Sequence, residues 1–116
     1  MKVQGSKQRC MYFSALPSAE RVNLYLHGVN NYRPSDYSLG DCFSEINPEL
    51  FKELLGRLMA SGDERTAFAL ILVLHGVTNS SYGYEVPKGF KVAAHCYQNS
   101  ACLKLAYEID ESLKAN

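Results

Sequence analysis

The chain has no tryptophan, no net charge and no long apolar run. Its twelve basic and twelve acidic residues cancel, which removes the electrostatic footprint that a nucleic-acid or membrane-surface partner would favour. The one local excess, Lys2, Lys7 and Arg9, reads as a solvated tail rather than a phosphate-binding arm. The longest apolar run, 67–74, has eight residues, against the roughly 18 that a membrane helix needs. The opening MKVQGSKQRC has no continuous apolar core behind its lysine, so no secretory leader is expected. The expectation is a cytoplasmic protein without membrane contact. Its four cysteines, Cys10, Cys42, Cys96 and Cys102, are then expected to be reduced.

Catalytic and metal-binding signatures are missing as well. There is no C-x-x-C, H-E-x-x-H, G-x-x-x-x-G-K-[ST], G-x-G-x-x-G or G-x-S-x-G. The acidic pairs Asp63–Glu64 and Asp110–Glu111 are adjacent rather than facing. The first suits the positive end of a helix. Cys96 and Cys102 sit among Ala93, Ala94, Ala101 and Leu103, a setting for core or half-core thiols. His27, His75 and His95 could in principle hold zinc, but no close ligand pair supports it. The residues point to no enzyme, no cofactor and no metal. A small Cys/His enzyme or metal-binding domain is the most distant alternative.

What is present is one strongly punctuated stretch, 47–76, NPELFKELLGRLMASGDERTAFALILVLHG. Asn47 is a good N-cap and Pro48 fits the first helical position. Ile46 and Phe51 could close a hydrophobic staple. Leu50, Leu54, Leu55, Leu58 and Met59 recur at helical spacing and predict one buried stripe. Gly62 ends this helix and Asp63 caps the next, which carries Ala67 to Leu74 and is apolar nearly all round. It is therefore expected at the centre of the fold. At 116 residues the chain makes a single domain, 1–116. The predicted class is all-α, a compact domain of three to five helices around the hairpin 47–75.

The remainder is less sharply written. Residues 1–10 read as a flexible tail, and Met11 to Leu16 as a short docked strand or turn. SAERVNLYLHG, 18–28, reads as a helix with Ser18 as cap, Gly28 as stop, and Val22, Tyr25 and Leu26 on one face. It also alternates, so an α+β fold with strands near 20–27 and 90–97 is the alternative. Residues 29–46 and 77–90 are long loops rich in Asn, Pro, Ser, Asp and Gly. Tyr32, Tyr37 and Phe43 argue against disorder of the first and could pin it to the body. Residues 91–114 form either one helix or a short element followed by a helix capped at Ser100.

One repeat stands out. LYLHGVNN at 24–31 and LVLHGVTN at 72–79 agree at six of eight positions, 48 residues apart. Two copies do not make a solenoid. The pattern reads as a helix stop written twice, with glycine in the left-handed conformation and an apolar residue folding back on the last turn. Residues 68–86 also fit a helix-turn-helix with its turn at Gly76–Val77. However, no Arg or Lys lies between Arg65 and Lys88, and phosphate contacts need such cations. DNA binding is thus the second reading. The first is a non-enzymatic protein-binding module, such as an inhibitor, immunity or accessory protein. It would grip a partner macromolecule through loops bearing Tyr32, Tyr37, Tyr82 and Tyr84, with Asn31 and Asn79 at their roots. Tyrosine combines broad apolar area with a polar tip, and interface cores are enriched in it.

Overall fold

The computed structural model describes residues 10–31, 42–43, 47–78 and 86–114. Among the described residues four long α-helices are formed: α1 (Ser18–Asn30), α2 (Pro48–Ala60), α3 (Glu64–Val77) and α4 (Ser100–Lys114). A 3-10 turn, Val92–His95, precedes α4, and residues 10–14 form a helical turn before α1. The domain is all-α. The strands considered at 20–27 and 90–97 are not formed: the first range is α-helical and the second holds the 3-10 turn. Among the described residues no helix is long and apolar enough to cross a membrane.

The central hairpin forms as its punctuation dictates. Asn47 Oδ1 accepts the Leu50 N–H at 3.1 Å, and Asp63 Oδ2 accepts the Thr66 N–H at 2.9 Å. Each side chain satisfies a donor that the helix itself leaves free. The Thr66 N–H also holds the Asp63 carboxyl below its ordinary pKa, because a bound donor favours the charged form. At the far end of α2, Ser61 Oγ donates to the Leu58 carbonyl at 2.7 Å. Leu50, Phe51, Leu54, Leu55 and Leu58 are buried. Met59, expected on the same stripe, is exposed, because it lies past the edge of the face that α2 presents to its neighbours. Ile46 lies outside the described residues, so the staple with Phe51 does too.

Helix α3 is the interior element. Ala67, Ala69, Leu70, Ile71, Val73, Leu74 and Val77 are buried, and α1, α2 and α4 all pack against it. Tyr25 of α1 donates its hydroxyl to the Ala69 carbonyl at 2.9 Å, within the core. Arg57 of α2 donates to Asn23 Oδ1 of α1 at 2.6 Å while pairing with Glu53 at 2.8 Å. On α4, Cys102, Ala106 and Ile109 form the buried stripe. Asn99, rather than Ser100, caps α4: its Oδ1 accepts the Cys102 N–H at 3.0 Å. Likewise Ser18 is the first residue of α1 and makes no cap, because Pro17 occupies the cap position.

Two expectations are overturned by packing. First, Gly28 and Gly76 do not stop their helices: α1 runs to Asn30 and α3 to Val77. Gly89 is the one positive-φ glycine among the described residues. Gly76 serves close approach instead, since a Cβ there would collide with the backbone carbonyl oxygen of Phe43. The segment 42–43 therefore lies directly on the last turn of α3. The helix-turn-helix loses its turn for the same reason, because Gly76 and Val77 are helical. Second, Cys10 and Cys42 are not reduced but joined in a disulfide. Cys10 thus belongs to the folded body and not to a tail. Around that bond Phe13 and Phe43 meet edge-to-face at 5.2 Å, and Tyr25 meets Phe43 at 5.4 Å. The Arg21 guanidinium sits 5.2 Å from each phenylalanine ring centre and donates to the Cys42 carbonyl at 3.3 Å.

Two glycines should respond oppositely to the same substitution. Gly56, exposed on α2, has nothing within 4 Å of a built Cβ, so Gly56→Ala should stabilise by up to about 1 kcal/mol. Gly76→Ala gains the same propensity but must displace the Phe43 backbone, and overpacking of that kind costs roughly 1–3 kcal/mol; net destabilisation is expected. Guanidinium denaturation of both variants reads the two signs. Removing the Cys10–Cys42 bond, which spans 32 residues, as Cys10→Ser/Cys42→Ser should lower stability by about 2–4 kcal/mol. An unchanged denaturation midpoint would contradict the pairing.

Candidate functional site

The repeat can now be read from side-chain direction. Within each copy the identical residues divide into two sets. Leu74, Val77 and Val29 are buried and Leu26 is partly buried against the core, so these face inward. Leu24 and Leu72, by contrast, are 49% and 47% exposed. His27, three residues on, is exposed, and His75 is partly exposed. Residues three apart on a helix share a face. Each copy therefore sets a leucine and a histidine side by side on the outer surface of its helix.

The ends of the two copies are closed by side chains rather than by glycine. Asn31 Nδ2 and the Asn31 N–H both donate to the His27 carbonyl, at 2.7 and 3.1 Å. Thr78 does the same for Leu74 with its hydroxyl at 2.8 Å and its N–H at 2.9 Å. Asn31 is exposed and terminates α1. It is the one predicted binding residue among those described; Tyr32, Tyr37, Tyr82, Tyr84 and Asn79 lie outside them. Phe43, expected to pin the first loop, is buried in the aromatic cluster. Met11 and Tyr12, on the helical turn at 10–14, are the most exposed of the large apolar residues described.

The histidines have separate surroundings. His75 Nε2 lies 2.9 Å from Glu108 Oε1, linking α3 to α4 at the surface. The His95 ring stacks on Phe90 at 5.2 Å. Among the described residues no group of three His, Cys, Asp or Glu side chains is placed to hold a metal ion.

The thiols are the group that residue spacing left unpaired and folding brings together. The 3-10 turn ends in extended backbone at Cys96, with φ −80° and ψ 141°. Residues 97–99 then reverse the chain, closed by the Asn99 N–H donating to the Tyr97 carbonyl at 2.8 Å. The Asn99 cap places Cys102 in the first turn of α4, where side chains lean towards the N-terminus. Cys96 Sγ and Cys102 Sγ are consequently 2.8 Å apart. Asp110, two turns along α4, accepts the Val92 and Ala93 N–H groups at 2.7 and 3.1 Å and anchors the 3-10 turn. The adjacent acid pair Asp110–Glu111 is thus half structural, a role no spacing argument finds because its partners are backbone groups 17 and 18 residues away.

Desolvation pushes the Cys96 thiol up to about 12, with the Cys102 hydrogen bond and the nearby Asp110 charge adding to it. The thiolate is the nucleophilic form, so Cys96 is protonated and sluggish at neutral pH. That chemistry suits a thiol pair held for structure and not an activated nucleophile. No protein-family model matches the chain, and comparison with curated proteins and with solved structures finds no significant relative.

With the Cys96–Cys102 pair reduced, maleimide labelling of Cys96 should be slow at neutral pH and accelerate up to about pH 12. The folded state holds this proton above the pH at which the unfolded chain loses it. The contribution of this thiol to stability should therefore be fully present below the ordinary thiol pKa of 9.0 and be lost as pH rises from there to about 12. Labelling at pH 7 as fast as that of a small free thiol would refute the assignment.

Proposed function

We propose that the protein is a small non-enzymatic protein-binding module, acting as an inhibitor, immunity or accessory protein on a partner macromolecule. The observation that supports this most is the outer half of the repeat. Packing accounts for the inward leucines and valines, but nothing in the core asks for leucine at both 24 and 72, where half of each side chain meets solvent. Covering the exposed half of such a leucine on a partner is worth about half of the full burial value, roughly 1 kcal/mol. His27, exposed beside Leu24, adds a polar contact able to donate or accept, whereas His75 has its Nε2 engaged by Glu108. Tyr32, Tyr37, Tyr82 and Tyr84, with Asn31 and Asn79, follow these helix ends in the sequence and are the further partner contacts in this reading.

Nucleic acid is the weaker partner. The α3 helix continues through the position where a recognition turn would be needed, and Arg and Lys are absent from 66–87. The setting in this reading is one where disulfides persist. The Cys10–Cys42 bond favours such a compartment over the reducing cytoplasm expected from composition.

The test is a crosslinking capture from the native source with three baits: the wild type, Leu24→Ser/Leu72→Ser, and the quadruple alanine variant at Tyr32, Tyr37, Tyr82 and Tyr84. A specific protein should be recovered with the wild type and lost with both variants. The leucine variant loses the packed half of two side chains and some helix propensity, so it should be destabilised by about 2–3 kcal/mol; unchanged helical circular dichroism at the capture temperature shows that it remains folded. Equal recovery with all three baits, or a salt-dependent shift of duplex DNA in place of a protein partner, would overturn the reading.

A further inference from the structure

Cys96 and Cys102 stand 2.8 Å apart at sulfur, and a cystine requires about 2.05 Å. The remaining gap of about 0.8 Å is to be closed by rotation of the two side chains. The backbone on both sides is already held: Asp110 fastens the 3-10 turn to α4, and Asn99 fixes the first turn of α4. We propose that Cys96 and Cys102 form a second disulfide, made by exchange with a glutathione-type or protein disulfide donor, which staples the 3-10 turn to the start of α4.

Three observations carry this. The two sulfurs face each other across a chain reversal. Cys96 is partly exposed, open to a donor, whereas Cys102 is buried. The Cys10–Cys42 pair is already oxidised, so conditions that make one bond can make the other, and all four cysteines are then paired within the chain.

The exchange balances in two steps. Cys96, as thiolate, attacks one sulfur of the donor disulfide, forms a mixed disulfide and expels one donor thiolate. Cys102, as thiolate, attacks the Cys96 sulfur, closes the intramolecular bond and expels the second donor thiolate. The two protons lost from the protein thiols end on the two donor thiols, and the donor is reduced by two electrons. Because Cys102 is in reach and buried, it resolves the mixed disulfide before a second donor molecule can react. The raised proton affinity of Cys96 has two consequences: it slows the first step, and it makes Cys96 a poor leaving group, so the finished bond resists reduction. These are the properties of a structural staple and not of a catalytic redox centre.

The test uses the full chain, fully reduced and then equilibrated with oxidised glutathione, blocked with N-ethylmaleimide and cleaved with trypsin. Residues 92–104 emerge as one peptide carrying both sulfurs. In the wild type this peptide should have lost two hydrogens and both maleimides together, and Cys102→Ala should instead retain glutathione on Cys96. The proposal falls if Cys96 and Cys102 each carry maleimide once Cys10 and Cys42 have joined. It falls equally if the wild type keeps a stable glutathione on Cys96, if either thiol pairs with Cys10 or Cys42, or if Cys96 stays unmodified in Cys102→Ala.

Discussion

After its first turn α3 has hardly a polar side chain until His75, so it is stable only when neighbours cover it on several sides. That requirement organises the molecule. α2 covers it through a short hairpin, α4 covers another side, and α1 lies across it with the Tyr25 hydroxyl on the Ala69 carbonyl. The segment 42–43 closes the last turn, and it can lie so near only because position 76 lacks a Cβ. Apolar burial supplies the driving force, since each large side chain removed from water contributes roughly 1.5–3 kcal/mol. The glycine and the caps then decide which surfaces come into contact.

The same closing segment explains a buried arginine. Arg21 is 1% exposed, and burying a charge is costly unless its surroundings replace water. Here two aromatic faces and a backbone carbonyl do so. A guanidinium suits this better than an ammonium, being flat, delocalised and more weakly hydrated. Desolvated contacts of this kind reach about 2 kcal/mol. The Cys10–Cys42 bond holds the carbonyl and one ring in place, so covalent linkage, charge and aromatic packing act on one small volume. The N-terminal turn, α1 and the end of the first long loop are thereby joined to the body.

The repeat gains a different meaning from this arrangement. A helix stop would need only a glycine and an apolar residue after it. What is found is two helices that continue through the glycine and are closed by Asn31 and Thr78, with leucine and histidine left on the outer surface in both copies. A protein-binding role draws on that outer identity, whereas the inner identity belongs to the core.

The sequence alone was sufficient for the hairpin with its Asn47 and Asp63 caps and for the central place of α3, and it favoured the all-α class over α+β while leaving open whether the last helix is broken. Each of these depends on residues within a few positions of one another: periodicity, a cap, a proline, an apolar run. The local signals were ambiguous over 18–30, where glycine could mean a stop or a close approach. They were silent on the partners of Arg21, on the backbone bound by Asp110, on Cys10 with Cys42 and on Cys96 beside Cys102. Those relations join groups brought together only when α3 is enclosed. A glycine beside a carbonyl, a charge between two rings and a sulfur near a sulfur are facts of three-dimensional proximity, which local periodicity does not encode.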